Sequence, residues 1–216
     1  MGILMKQGPY RGGAAWHACI FAFLALAAAR TVTQTQPAAP PPKAGEVTLN
    51  LDPTQSGLHW TLGTTLHAVH GTFALQRGFV RYDPASGYAS GEFDVDAASG
   101  ESGNDSRDRK MQRDILDSSR FTEVIFRPNR IEGKLSAQGA SSVQVHGTFL
   151  LHGEEHELTV QVQAQLTGNR WEGTAKFGVP YVQWGLKSPN TFLLRADPIV
   201  DIGLEMKGTL QGTLAR

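Results

Sequence analysis

The chain has 216 residues, enough for one or two domains, and an all-β chain of this length often forms a single one. Formal net charge is zero, but four of the 20 basic residues precede the first acidic one, Glu46, so the remainder carries 16 basic and 20 acidic residues, a net of −4. An acidic domain without a Lys/Arg-rich run lacks the electrostatic surface of a nucleic-acid-binding protein, which excludes that class.

The N-terminus has the three parts of a secretory signal peptide. Lys6 and Arg11 supply positive charge, residues 14–29 are mostly apolar, and this segment ends in three alanines. Sixteen residues fall short of the roughly 20 that span a bilayer, which favours cleavage; a tilted or extended anchor that is retained is the alternative. We predict a signal peptide over residues 1–29 and a periplasmic or secreted protein. Removal of this segment would also remove Cys19, the chain's one thiol, and with it any disulfide, thiolate metal site or cysteine nucleophile.

Residues 30–45 are predicted to be an extended linker. They hold four prolines and, after Val32, no aliphatic residue larger than alanine, so they cannot bury a core. The folded domain is predicted to occupy residues 46–213.

Apolar residues at every second position predict that most of this domain is β-strand. The clearest case is residues 158–166, where Leu158, Val160 and Val162 alternate with Thr159 and with glutamines. Such a strand has one apolar and one solvated face, as in antiparallel sheets and barrels. Similar strands are predicted around residues 47–51, 58–62, 71–83 (with a bulge at Arg77-Gly78), 92–97, 122–131, 142–151, 170–179 and 199–210.

One helix interrupts the strands, over residues 105–117. Asn104 or Asp105 can cap it, and Met111 and Ile115 lie four residues apart on one face. The rest of this helix is charged, so a narrow apolar stripe docks, which is typical of a lid or strap across a sheet.

Eight or nine short strands with short connections predict a sandwich or barrel. The regular last strand favours closure against the first strands, because an exposed apolar edge promotes aggregation. An antiparallel barrel of about eight strands has an interior just wide enough for one small ligand.

Several short motifs in this order resemble the YceI-like polyisoprenoid-binding family. They are Asp52-Pro53 before Ser56, His67 ahead of Gly71-Thr72-Phe73, Gly78, Asp83, Asn104 with Arg107-Asp108, Phe121 ahead of Phe126, LLHGEEHELTV at 150–160, and Trp184-Gly185-Leu186 before the acidic last strand.

The resemblance implies an exported bacterial protein with an extended, eight-stranded, lipocalin-like barrel that holds a long isoprenoid or other lipid in its lumen. It implies no cofactor and no catalysis. The ligand is then the main partner; a homodimer is left open, and membrane contact is expected only through the N-terminal segment or during lipid exchange. Two segments depart from the family pattern, the charged turn GEEHE and the long stretch 187–199. Both lie where they would reshape the mouth of a pocket.

Inward-facing positions are the candidate ligand contacts, with Trp184 or a histidine near the mouth as the polar contact for a ligand head. The candidates are Trp60, Phe73, Phe93, Val95, Phe126, Val145, Phe149, Leu158, Val160, Val162, Phe177, Trp184 and Ile202. The alternative interpretation is that these side chains simply fill a core, as most aromatic residues do. In that case the domain is a stress-related or structural protein without a ligand.

Catalytic and metal-binding patterns are weak. His152 to His156 fits the HxxEH pattern of one zinc-protease class, but that chemistry needs a helix, and here the residues join two strands as a polar hairpin tip. His59, His67, His70 and His146 are expected to be solvated or hydrogen-bonded rather than metal ligands. The chain has no GxSxG motif, and its strand carboxylates, Glu92, Asp94, Asp96, Asp201 and Glu205, are expected on solvated faces. A hydrolase is therefore the least favoured hypothesis.

Overall fold

Antiparallel strands make up most of the structure. A computed structural model describes residues 45–214, and the predicted signal peptide and all but the last residue of the predicted linker lie outside the described residues. The strands are β1 Val47–Leu51, β2 Gly57–Leu62, β3 Val69–Phe73, β4 Leu75–Tyr82, β5 Ala89–Asp96, β6 Glu123–Glu132, β7 Gly139–Leu151, β8 Glu154–Thr167, β9 Arg170–Val179 and β10 Val200–Gln211.

The sheet closes on itself. β10 pairs with β9 on one side and with both β1 and β2 on the other, while β4 pairs with β1 and β3 pairs with β2. β1 with β2, and β3 with β4, therefore act as two long strands that are each broken once. The result is the predicted closed, eight-stranded antiparallel barrel.

The break between β1 and β2 comes from Asp52-Pro53. The Asp52 carboxylate accepts hydrogen bonds from the Thr54 amide at 3.0 Å and from its hydroxyl at 2.6 Å, which turns the chain into the 3₁₀ helix Pro53–Gln55. Ser56 Oγ then accepts a bond from the Lys207 amide of β10 at 3.0 Å. The break is thus sealed, and both halves stay in register with β10.

The predicted bulge in the fourth strand lies slightly earlier than expected. The register of β4 against β5 shifts between Leu75 and Arg77, not at Arg77-Gly78. The shift turns Val80 toward the lumen with Leu75, as the change of face in the sequence indicated. A second shift, between Pro128 and Arg130 of β6, accommodates a proline that has no amide to donate.

The two ends of the barrel differ. Residues 63–68, 97–122, 152–153 and 180–199 connect strands at one end, which we name the mouth end. Connections at the other end, the closed end, are short. A core of buried side chains lies at the closed end, and more than half of its members also face the space inside the barrel: Val47, Leu49, Val80, Tyr82, Ala89, Ile131, Leu135, Val143, Leu166, Trp171, Met206 and Leu214.

Trp171 ties this core to the barrel wall. Its Nε1 donates a hydrogen bond to the Asn50 carbonyl at 3.1 Å, across β10. The indole reaches Asn50 because Gly208 lies between them without a side chain; a Cβ there would fall 1.8 Å from that carbonyl oxygen. The bond satisfies a buried donor that would otherwise be costly.

The helix α1, Asp105–Lys110, begins where predicted, with the Asn104 side chain accepting from the Arg107 amide at 3.0 Å. It continues as a π-helical turn, Met111–Ile115, two residues short of the predicted end. No helix in residues 45–214 is long and apolar enough to cross a membrane.

Asp94 corrects one expectation from the sequence. It faces outward from β5, as its position in the alternation requires, but its side chain is fully buried. Its cross-strand neighbour Arg77 lies against it in an ion pair, and Arg77 also approaches Glu92 at 3.5 Å. Alternation shows on which face of a strand a residue lies. It does not show whether a long neighbouring side chain shields that residue from solvent. Asp201 and Glu205 are exposed as expected, whereas Glu92 and Asp96 are half-buried.

Candidate ligand-binding cavity

The barrel encloses an apolar cavity of about 410 Å³. That volume is typical of small-molecule sites, which run from roughly 300 to 1,000 Å³. Twelve of the thirteen candidate contacts lie on its wall: Trp60, Phe73, Phe93, Val95, Phe126, Val145, Phe149, Leu158, Val160, Val162, Phe177 and Ile202. The alternation in the strands brings them together, because every second residue of a barrel strand faces inward.

Trp184 is the exception. Its ring stacks on His156, with ring centroids 4.2 Å apart and planes 2° apart, and it also approaches the Phe149 ring at 5.7 Å. Trp184 belongs to the apolar cluster of the mouth end and is not on the cavity wall. It lies in a connection, where no alternation indicates which way a side chain points.

Small residues leave room for the cavity. Ala164 of β8 pairs with Gly173 of β9, and Ala175 pairs with Val162. All four line the cavity. In an eight-stranded barrel, larger side chains at these positions would fill the interior. The space is therefore a consequence of small side chains on two adjacent strands.

Polar side chains on the wall are concentrated at the mouth end. Thr64 and His67 come from the connection between β2 and β3, and Arg107 and Lys110 come from α1. Tyr181 donates its hydroxyl to the Asp197 carbonyl at 2.9 Å, and the indoles of Trp60 and Trp171 also lie on the wall. Burial raises the pKa of the Tyr181 hydroxyl above its usual value, so it stays protonated. Toward the closed end, the cavity wall is therefore formed mainly by apolar side chains.

The helix is fastened over the mouth by hydrogen bonds to the loop before it. Gln112 Nε2 donates to the Ala98 carbonyl at 2.7 Å, and Arg107 donates through Nε to Ser102 Oγ at 2.7 Å. Asp108 accepts from the Ser102 amide at 3.1 Å. Met111 and Ile115 then reach the cavity wall, as the predicted stripe indicated. The loop is in turn held to β3, where Glu101 and Thr72 exchange backbone hydrogen bonds at 2.8 and 3.1 Å, so the helix and loop together form a strap.

The HxxEH pattern is a hairpin turn, as predicted. β7 ends at Leu151 and β8 begins at Glu154, so His152 and Gly153 form a two-residue turn with φ of 53° and 82°. His146 and His70 each share a hydrogen bond with a threonine on the neighbouring strand, at 2.8 and 2.9 Å. His67 alone of the four candidate histidines lines the cavity.

The cavity wall carries few titratable groups. Within residues 45–214 it includes no Asp, Glu, Ser or Cys side chain, and no cluster of three potential metal-binding residues occurs in the same part of the chain. General acid–base chemistry needs a titratable group within reach of the substrate, and the wall offers His67, Arg107, Lys110 and Tyr181. What the wall can do is exclude water from an apolar guest.

The sequence reasoning missed the cations at the mouth. Arg107 precedes Met111 by four residues, so it lies on the same helical face, and that spacing was a usable signal. Pro189 and Leu194 had none, because they lie in an irregular connection without periodicity, and Lys110 lies one position before Met111, outside the apolar stripe. Residues 187–199 do shape the mouth as expected, since Pro189 and Leu194 lie on the wall.

Comparison with known proteins agrees with this architecture. The chain is similar to the crystal structure of Burkholderia cenocepacia BcnA, with a TM-score of 0.61 and 17% identity over 74% of this chain and 99% of that one. It is also similar to a polyisoprenoid-binding domain from Saccharophagus degradans, with a TM-score of 0.58 and 15% identity over 76% of this chain and 98% of that one. No curated protein matches it. The family model for the YceI-like domain matches residues 49–208, nearly the whole barrel, and the chain therefore belongs to the YceI-like family.

Proposed function

We propose that this protein is an exported carrier that sequesters a long-chain hydrophobic ligand, a polyisoprenoid or related lipid, in the barrel lumen. The observation that carries the proposal is the cavity itself, about 410 Å³ of space with a hydrocarbon wall inside a closed barrel. A structural barrel without a ligand would be expected to fill that space with side chains, as protein interiors are close-packed.

The driving force is transfer of apolar ligand surface from water to the lumen. At about 25 cal/mol per Å², burying roughly 300 Å² of ligand contributes about 7 kcal/mol before the entropy of association is subtracted. Shape and apolar area therefore supply affinity, and few polar contacts are needed. The polyisoprenoid class is supported by family membership and by the similar fold of the domain from Saccharophagus degradans.

A polar ligand head would lie at the mouth end. There the side chains of His67, Lys110 and Arg107 are wall groups that can donate a hydrogen bond to a ligand oxygen. The hydrocarbon tail would then run toward Ala164 and Gly173. This orientation leaves no polar ligand atom against the apolar wall, where it would lose its hydrogen bonds to water.

Export is part of the proposal. The charged start, apolar segment and three alanines of residues 1–29 support it. A carrier for a membrane-derived lipid would then work outside the cytoplasm. Cleavage after Ala29 leaves a mature chain that begins at Arg30, which intact-mass measurement of the purified protein reads directly.

The decisive experiment is purification from the native host without detergent, followed by solvent extraction and mass spectrometry. Wild-type protein is expected to release a long-chain lipid in near-stoichiometric amount. Ala164→Phe, which puts an aromatic ring into the lumen, is expected to lose most of that lipid. Gln165→Phe adds the same ring to the outer face one residue away and serves as the matched control. Absence of lipid from the wild type, or equal loss in both variants, would overturn the proposal.

A further inference from the structure

Exposed apolar side chains are concentrated at the mouth end. Six large hydrophobic residues in the described chain are exposed, and five of them lie in the mouth-end connections: Leu66, Val182, Phe192, Leu193 and Ile199. Phe192 is 100% exposed, Leu193 81% and Leu66 68%, whereas the sixth, Tyr88, lies at the closed end. Single exposed apolar residues are ordinary, but a cluster around one opening marks an interaction site.

Leu66 and Phe192-Leu193 belong to two connections that are hydrogen-bonded to each other. The Thr65 amide donates to the Arg195 carbonyl at 2.9 Å, and the Arg195 amide donates to Thr65 Oγ1 at 3.3 Å. The Thr191 amide also donates to the Leu194 carbonyl at 2.8 Å, closing a tight turn around residues 192–193. We name Leu66, Phe192 and Leu193 the apolar tip.

The apolar tip is continuous with the cavity. Leu194 follows Leu193 directly and lies on the cavity wall, and His67 follows Leu66 and lies there too. One residue step therefore separates the exposed Leu66 and Leu193 from residues of the cavity wall. Exposed apolar side chains therefore lie next to the polar and apolar wall residues at the mouth of the cavity.

Unpaired cations accompany the apolar tip. Lys110, Lys187 and Arg195 form no ion pair within 4.0 Å with any described carboxylate. The Arg113 guanidinium, which pairs with the Asp114 carboxylate at 2.7 Å, lowers the pKa of that carboxyl, and Lys110 and Lys187 add to the effect from a greater distance. Lys110 lies at the cavity mouth. Lys187 and Arg195 lie on either side of Phe192-Leu193 in the connection between β9 and β10. Within residues 180–199 Lys187 and Arg195 outnumber the one acid, Asp197, and this positive excess complements an anionic surface.

We propose that the apolar tip inserts into an anionic lipid bilayer and that ligand hydrocarbon passes between bilayer and cavity through the mouth. The inference rests on the proposed carrier function. A chain insoluble in water exchanges efficiently when its path avoids water, and among residues 45–214 the exposed Phe and Leu side chains lie at the mouth end. Aromatic and basic side chains together are the composition that favours a bilayer interface.

The test is sedimentation of the full protein, as purified from its host, with vesicles of phosphatidylcholine containing about one-third phosphatidylglycerol. Wild type is expected to cosediment, and Phe192→Ser/Leu193→Ser is expected to weaken vesicle partitioning about tenfold. Tyr88→Ser removes an exposed aromatic ring at the closed end and is expected to change nothing. All variants share the N-terminal segment, so a difference between them reports the tip.

Two further arms separate charge from apolar insertion. Lys187→Glu/Arg195→Glu is expected to reduce partitioning several-fold on vesicles with phosphatidylglycerol and to have little effect on pure phosphatidylcholine. Equal partitioning of wild type and the Phe192/Leu193 variant, or equal loss in Tyr88→Ser, would refute tip insertion. Partitioning that needs a protein on the vesicles and is absent with lipid alone would refute it as well.

Failure of the docking inference is distinguishable from failure of the carrier proposal. If lipid copurifies with the wild type but the apolar tip does not bind vesicles, the carrier proposal stands and the docking inference is refuted. Unchanged thermal unfolding of the tip variant confirms that its barrel is intact, as expected for two exposed side chains in a connection.

Discussion

The closed end and the mouth end of this barrel are built from the same eight-stranded sheet but differ in the burial of their side chains and the length of their connections. At the closed end Val47 is fully buried and Leu166 and Ala89 are 1% exposed, and short turns seal the strands. At the mouth end the connections are long, and Phe192 is fully exposed. The contrast indicates that one end stabilises the fold while the other admits a guest.

The cavity lies between these two regions, and the free energy of unfolding should vary along a single strand. β8 runs from the mouth end to the closed end, with its inward residues contacting first the cavity and then the packed core. Side chains on the cavity wall lack partners on one side, so they contribute less dispersion energy than core side chains of the same type. The space that can hold a ligand therefore reduces the packing energy of the side chains that surround it.

Two leucines on β8 provide the strongest test of this contrast. Leu166→Ala at the closed end is expected to lower the free energy of unfolding by about 3 kcal/mol, because it leaves a hole in a packed cluster. Leu158→Ala, on the cavity wall, is expected to cost about 1 kcal/mol, because the removed atoms already face space. Urea denaturation of ligand-free protein measures both. Equal losses would contradict the proposed division between the ends.

Two hairpin glycines, one at each end, give a smaller contrast. Gly153 has φ of 82° and Gly168 has φ of 62°, so alanine is strained at both. A Cβ on Gly168 meets nothing within 4 Å, whereas a Cβ on Gly153 would lie 2.6 Å from the Phe121 ring. We expect a loss of about 1 kcal/mol for Gly168→Ala and about 2 kcal/mol for Gly153→Ala.

Thermal or urea unfolding of the two alanine variants measures this difference. Adding Phe121→Leu to each provides the control, because it relieves the contact at Gly153 alone. A cost for Gly153→Ala that stays unchanged in the Phe121→Leu background would show that backbone strain accounts for all of it.

Much of the lumen could be predicted from the sequence, because apolar residues at every second position show which face of a strand points inward. Leu158, Val160 and Val162 face inward as a direct result of their spacing, and the closed barrel follows once an apolar last strand must find a partner. Alternation says nothing about residues in connections. Trp184 was therefore misplaced and Lys110 was missed, although both lie at the mouth end.

The alternation also does not show which side chains on the outer face are shielded from water by their neighbours. Asp94 points outward, yet Arg77 and neighbouring side chains exclude water from it, and that depends on the conformation of long side chains across strands. No one-dimensional pattern records such a conformation. Similarly, the volume of the cavity depends on Ala164 pairing with Gly173, which requires the register between β8 and β9.

The smallest expected effect compares two ion pairs on the outer face. Burial, reinforced by Glu92 and opposed by Arg77, raises the pKa of the Asp94 carboxyl above its usual value of about 3.9. The native state therefore binds more protons than the unfolded state between the usual pKa and the raised one, so this group's contribution to stability falls as pH rises through that window. Asp94→Asn removes the penalty.

We expect Asp94→Asn to raise the unfolding midpoint, relative to wild type, by about 2 °C more at pH 7 than at pH 4. The matched control is Glu172→Gln in the closed half of the barrel, where Lys207 pairs with Glu172 at 3.5 Å and both side chains are exposed. Exposed pairs contribute little, so this variant should show no comparable difference between the two pH values. Calorimetry of both variants at both pH values decides it. A shift for Asp94→Asn that is the same at pH 4 and pH 7 would mean that the buried carboxylate is fully compensated by Arg77, and that the outer face near the mouth end tolerates a buried charge as readily as the exposed surface does.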